Sequence, residues 1–202
     1  MEKSIFIREA RSASGMRERE LSAATWRSNM RHTSSLALVA AFAVFPLSGA
    51  SAQVGESGYS LPLALAVKAA TKAIATCASN GYPVSAVVVD PSGVIKLEAK
   101  GDHSTIHTTT SAFRKAYTVV TFGPIFRFDA SSAFAALAAK NPAGAALATL
   151  PDIALLPGGV AIKVGDEIVA ALGIGGSPGG DKDEVCAQAG VESIKDDLAS
   201  SR

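Results

Sequence analysis

Apolar residues recur along this chain with two periods, and the changes from one period to the other mark its elements. Leu63, Val67, Ala70, Ile74 and Cys77 fall at helical spacing over 63–77, with Lys68 and Lys72 on another face. Pro62 suits the first turn of that helix and Asn80-Gly81 stops it. The β-branched run 84–90, VSAVVVD, a Pro91-Ser92-Gly93 turn and the return over 94–100 predict a hairpin. The stretch 104–122, STIHTTTSAFRKAYTVVTF, reads as a helix with Ser104 or Thr105 as its cap. Ile106, Thr110, Phe113, Tyr117 and Val120 would form its apolar stripe, and 123–129 a turn-containing stretch. An Ala-rich helix is expected over 131–140, ended by Asn141-Pro142, with a short Ala segment over 143–149. Strands are expected over 153–156, 160–164 and 168–174, the last two joined by a Gly165-Asp166 turn. A final helix over 181–198 would bury Ala187, Val191, Ile194 and Leu198. Asp181, Asp183 and Glu184 suit the positive end of its dipole.

Hairpins dominate this order, so the fold class is α+β: one domain, an antiparallel sheet with helices packed on it. The core is rich in Ala and Gly and poor in aromatics, which predicts close helix–sheet packing.

The charge balance divides the chain. Over the whole 202 residues the formal net charge is +1. Residues 1–52 hold 7 Lys/Arg against 4 Asp/Glu, a net +3, and residues 53–202 hold 12 against 14, a net −2. The basic excess therefore sits in a segment expected to be removed, and the rest makes no electrostatic case for nucleic acid or an anionic membrane. Residues 30–52 read as a signal peptide. Arg31 is the positive flank, 36–45 (LALVAAFAVF) the apolar region, and Ala50-Ser51-Ala52 the cleavage triplet before Gln53. About ten apolar residues are too few for a bilayer span, which needs about 20. The expected location is periplasmic or secreted, with no membrane attachment after cleavage. Residues 1–29 are charged and non-periodic, and are read as a non-native or wrongly included extension, Met30 being the expected start. Residues 53–60 form a polar lead-in, 61–198 the domain and 199–202 a tail.

After such cleavage only His103 and His107 remain of the three histidines. His107, Ser111, Arg114 and Thr118 fall on one face of the expected helix, with Lys115 at its edge. An imidazole, two hydroxyls and cations suit a flat anionic ligand; the same pattern also describes a solvated helix face. His107 is a chemically reasonable axial ligand for haem iron, with Arg114 or Lys115 on the propionates. His103 and His107 would supply half a metal site, with no Cys or third His to complete it. Cys77 and Cys186, near the ends of the first and last helices, are either a disulfide or two buried free thiols. The Gly-rich turn 173–180 is not G-x-G-x-x-G, because Pro178 stands at its third position. There is no convincing Ser-His-Asp or Cys-His arrangement.

Three stretches together resemble one family. They are VSAVVVDPSGVIK (84–96), HTTTSAFRKAYT (107–118) and LPGGVAIKVGDEIVAALGIGGSPGGDKDEVCAQAG (156–190). In this order they are similar to the GlcG/HbpS-like family, the haem-degrading domain, and most to its exported members, over about residues 61–198. The resemblance implies a profilin-like antiparallel sheet flanked by helices and assembly as homo-oligomers. It implies binding of haem or a related tetrapyrrole in some members, with haem breakdown proposed. Carried over, His107, Arg114 and Lys115 fall in the helix linked to ligand binding, while His103 stands where a small residue is expected. Two functions follow as expectations. One is an exported haem-binding protein, with redox activity or haem breakdown added only as far as the resemblance implies them. The other is a non-catalytic accessory or small-molecule-binding module.

Overall fold

Residues 57–200 are described in the computed structural model. The expected extension, the signal peptide and the start of the lead-in lie outside the described residues, as does the end of the tail. The chain builds α1 (Leu63–Ser79), β1 (Ser85–Val89), β2 (Ile95–Lys100), α2 (Thr108–Phe126), α3 (Ser131–Lys140) and the single turn α4 (Gly144–Leu147). It closes with β3 (Gly159–Val164), β4 (Glu167–Gly175), α5 (Gly180–Glu192) and α6 (Lys195–Ser200). The sheet has four strands in the order β2-β1-β4-β3, all neighbours antiparallel. Two hairpins are thus joined by their inner strands.

The fully buried run of β1 explains the unbroken apolar character of VSAVVVD. Successive side chains point to opposite faces, and here both faces are covered. Ala86 and Val88 join a core with α1 and α5, containing Ala69, Ala73, Leu172 and Ile194. Val87 and Val89 join a second core with α2 and α3, containing Ala116, Val119, Phe128 and Phe134. A disulfide, Cys77–Cys186, ties the end of α1 to the middle of α5, with Cα atoms 5.6 Å apart.

Small residues face the sheet and larger ones face out. Buried α1 positions are Ala66, Ala69, Ala70, Ala73 and Cys77, while Leu63 and Val67, expected inside, are exposed. The reason is the close approach of α5. A Cβ on Gly190 would stand 2.5 Å from the carbonyl oxygen of Ala69 and 2.9 Å from Ala73 Cβ. The same holds for α2, which lies on β4 so closely that a Cβ on Gly173 would meet the Ala112 carbonyl oxygen.

Three further expectations are corrected. Residues 153–156 are not a strand; β3 begins at Gly159, and the preceding segment is held by side chains of α2. The last helix is two helices, α5 and α6, the break falling at Ser193-Ile194, where Ser193 Oγ donates to the Gly190 carbonyl at 2.6 Å. The helix expected to end at residue 122 continues through Gly123 and Pro124 to Phe126, because proline in the last turn removes one donor only. Arg127 closes it in the left-handed region, φ 56°.

Candidate functional site

The site expected on α2 begins at its N-terminus. The helix starts four residues later than expected, at Thr108 instead of Ser104. A buried hydroxyl cluster accounts for the delay. Ser104 turns inward and donates to the Gly101 carbonyl at 2.8 Å. Ser85 Oγ on β1 lies 3.1 Å from Ser104 Oγ and 2.7 Å from Thr108 Oγ1. Thr108 Oγ1 donates to the Thr105 carbonyl at 2.8 Å. The chain between Gly101 and His107 is therefore a pinned loop, in which His103 takes a left-handed conformation, φ 62°.

His107 is consequently the N-cap residue of α2, not a member of a helical face. It is exposed, and its Nδ1 lies 3.2 Å from Thr105 Oγ1. That contact orients the ring and leaves Nε2 without a hydrogen bond among the described residues. Ile106 beside it is 91% exposed, where the expected apolar stripe would have buried it. The buried side of α2 is instead Thr108, Ala112, Lys115, Ala116, Val119 and Gly123, with Thr118 and Val120. One turn on from His107, Ser111 is half-buried against β4. Arg114 is half-buried, and its Nη2 donates to the Ile153 carbonyl at 2.6 Å, leaving its other N–H groups available.

Lys115 and Thr118 are not on the open face. Lys115 Nζ lies 2.6 Å from Asp183 Oδ2, both side chains only 3% exposed, and it also donates to the Ile174 carbonyl at 3.0 Å. Asp183 Oδ1 accepts the Ser177 N–H at 2.9 Å. Its neighbour Glu184 accepts from Ser132 Oγ at 2.6 Å and from the Gly158 N–H at 3.1 Å. Beyond suiting the helix dipole, these acids fasten the segments at Ser177 and Gly158 to α5. No sequence signal short of the burial of Lys115 pointed to that pairing. Thr118 Oγ1 donates to the Arg114 carbonyl at 2.7 Å and accepts the Ala154 N–H at 2.9 Å, so it is spent on holding residues 153–154. Of the expected ligand set, His107 is exposed and Ser111 and Arg114 are half-buried, while Lys115 and Thr118 are buried on other partners. Among the described residues no group of three or more His, Cys, Asp or Glu could hold a metal ion.

The model of the family described as "Haem degrading protein HbpS-like" matches residues 61–192. Among solved structures the chain is similar to the crystal structure of HbpS, at 32% identity and a TM-score of 0.61, covering 67% of this chain and 91% of that one. It is also similar to a double mutant of the Streptomyces reticuli HbpS, at 31% identity and a TM-score of 0.62, covering 75% and 98%. The PduOC:heme complex shares the fold at 19% identity and a TM-score of 0.61, covering 68% and 96%. No curated protein matches. The antiparallel sheet between helices and the matched span agree, and this chain belongs to the HbpS-like family.

Proposed function

We propose that this chain is an exported haem-binding protein, acting in the periplasm or after secretion, with His107 as the ligand to iron. The observation that carries the reading is the exposed imidazole at the start of α2, held through Nδ1 by Thr105, in a chain of the haem-degrading HbpS-like family. Neutral imidazole nitrogen is a common iron ligand, and a hydrogen bond at the other nitrogen fixes which one is offered. Arg114 stands about two helical turns further on, roughly 10 Å along the axis, a reach suited to a propionate. Ile106 offers an apolar surface beside the ring. The residues present therefore fit the group at one edge, with Ser111 as a further polar contact. When bound, haem would supply redox chemistry at its iron; His107 would hold that iron and Arg114 would orient the macrocycle.

Export is supported by the apolar stretch with its cleavage triplet and by the Cys77–Cys186 disulfide, a bond that persists in oxidising compartments. Homo-oligomerisation is part of the same reading, since a flat ligand on an exposed edge gains from a second copy over its other face. No turnover step is assigned to the chain's own residues, because Thr105 is the only side chain hydrogen-bonded to His107 among the described residues. Detection of a linear tetrapyrrole product is the test of haem breakdown.

The second reading, a non-catalytic accessory or small-molecule-binding module without physiological haem, is favoured by the burial of Lys115, which withdraws one of the two expected cations. A haemin titration separates the two. The first reading expects a saturable Soret band, with affinity weakened roughly tenfold or more by His107→Ala, the loss of about 1.4 kcal/mol of binding free energy. Absence of a saturable band leaves the second.

A further inference from the structure

At the end of the sheet away from His107, the lead-in to α1 passes the turn of the first hairpin and leaves a groove of about 310 Å³, at the small end of ligand-sized cavities. β1 starts beside Thr108 and ends at Val89, just before Asp90, so strand length separates this groove from the α2 site. Leu61 and Val169 line it with apolar surface, and Tyr59 and Ser92 line it with hydroxyls. It is also lined by two side chains of opposite charge, Lys96 and Asp90.

Local backbone features put both of them there. The β1–β2 register slips between Val88 and Val89: Val88 faces Leu97 and Val89 faces Ile95, so Lys96 is the residue left over. Such a bulge re-aims a side chain. Asp90 opens the hairpin turn, and its Oδ1 accepts the N–H groups of Ser92 at 2.9 Å and Val94 at 3.0 Å. Those bonds fix the carboxyl and leave Oδ2 without a hydrogen bond among the described residues. Lys68, Lys115, Lys163 and Lys195 each hold a carboxylate. Lys96 has no such partner among the described residues, and it forms no ion pair with the Asp90 that shares its groove. A fixed acid and an unpaired base lining one small cavity without neutralising each other can both be satisfied by a ligand that carries both charges.

From this we propose that the groove binds a small zwitterion of amino-acid size. Its carboxylate lies on Lys96, its ammonium group on Asp90 Oδ2, and its apolar part against Leu61 and Val169. The proposal does not depend on His107 or on haem.

The test is a titration of the purified chain with L-leucine, followed by amide shifts of residues 58–61, 90–96 and 169 and by calorimetry. Saturable binding is expected, with shifts confined to those residues. Lys96→Met and Asp90→Asn should each weaken it roughly tenfold or more, the loss of one charge-assisted hydrogen bond. Acetate and isobutylamine, which carry one charge each, should bind roughly tenfold or more weakly than L-leucine on the same grounds. Asp90→Asn keeps the Oδ1 acceptor and with it the turn; should that variant fail to fold, Lys96→Met decides alone. No saturable shift at about 10 mM L-leucine, a Kd range in which binding is barely favourable, overturns the proposal. So does L-leucine binding unchanged in Lys96→Met, or acetate binding as tightly as L-leucine.

Discussion

His107 and Lys115 lie two turns apart on one helix and meet opposite environments. His107 caps the helix in solvent, while Lys115 is buried on Asp183. Removing one partner of a buried ion pair leaves an uncompensated charge, at a cost of about 3–5 kcal/mol. Lys115→Met is therefore expected to lower unfolding free energy by about that amount in denaturant titrations, and to leave haemin affinity unchanged while the protein is folded. Loss of haemin affinity at undiminished stability would return Lys115 to the ligand site. Which residues carry chemistry was legible in part. The only two histidines of the expected mature chain and the Arg beside them stood out by type. Their orientation did not, because Ser104, one of the two expected caps, is drawn into hydrogen bonds with Gly101 and Ser85, and the contact with Ser85 on β1 leaves no local trace.

Helix–sheet contact in this domain is set by residues with little or no side chain. Gly173 is the tightest case, its missing Cβ directed at the Ala112 carbonyl of α2. Overpacking there forces the helix off β4, so Gly173→Ala should destabilise by about 2–3 kcal/mol, read as a lower denaturation midpoint with an unchanged slope. A neutral effect would mean that α2 sits further from the sheet. The same contacts explain what periodicity missed. Large apolar residues predicted Leu63 and Val67 inside, but Gly190 draws α5 so close that only the Ala stripe of α1 fits between. Both hairpins, the helix over 131–140 and the antiparallel α+β class were legible, since turn residues and β-branched runs act locally. The segment 153–156 was not. Ile153 reaches the core from a loop while Leu156 is exposed, and the loop is held by Arg114 and Thr118 from a distant part of the chain.

Across the whole molecule, one covalent bond joins the beginning of the domain to its end. The Cys77–Cys186 disulfide closes a loop of 109 positions, for which chain entropy gives about 4–5 kcal/mol. Replacing both cysteines with Ala should remove stability of that order, and a reductant should then have no further effect on the denaturation midpoint. Equal stability in the variant and the oxidised chain would show that packing of α1 on α5 suffices. The most direct measurement of the role of His107 is a haemin titration of His107→Gly with and without added imidazole. Haemin affinity is expected to fall roughly tenfold or more in the variant and to be restored by free imidazole occupying the vacated position. An affinity unchanged by the substitution, or a loss that imidazole does not repair, would contradict ligation by His107.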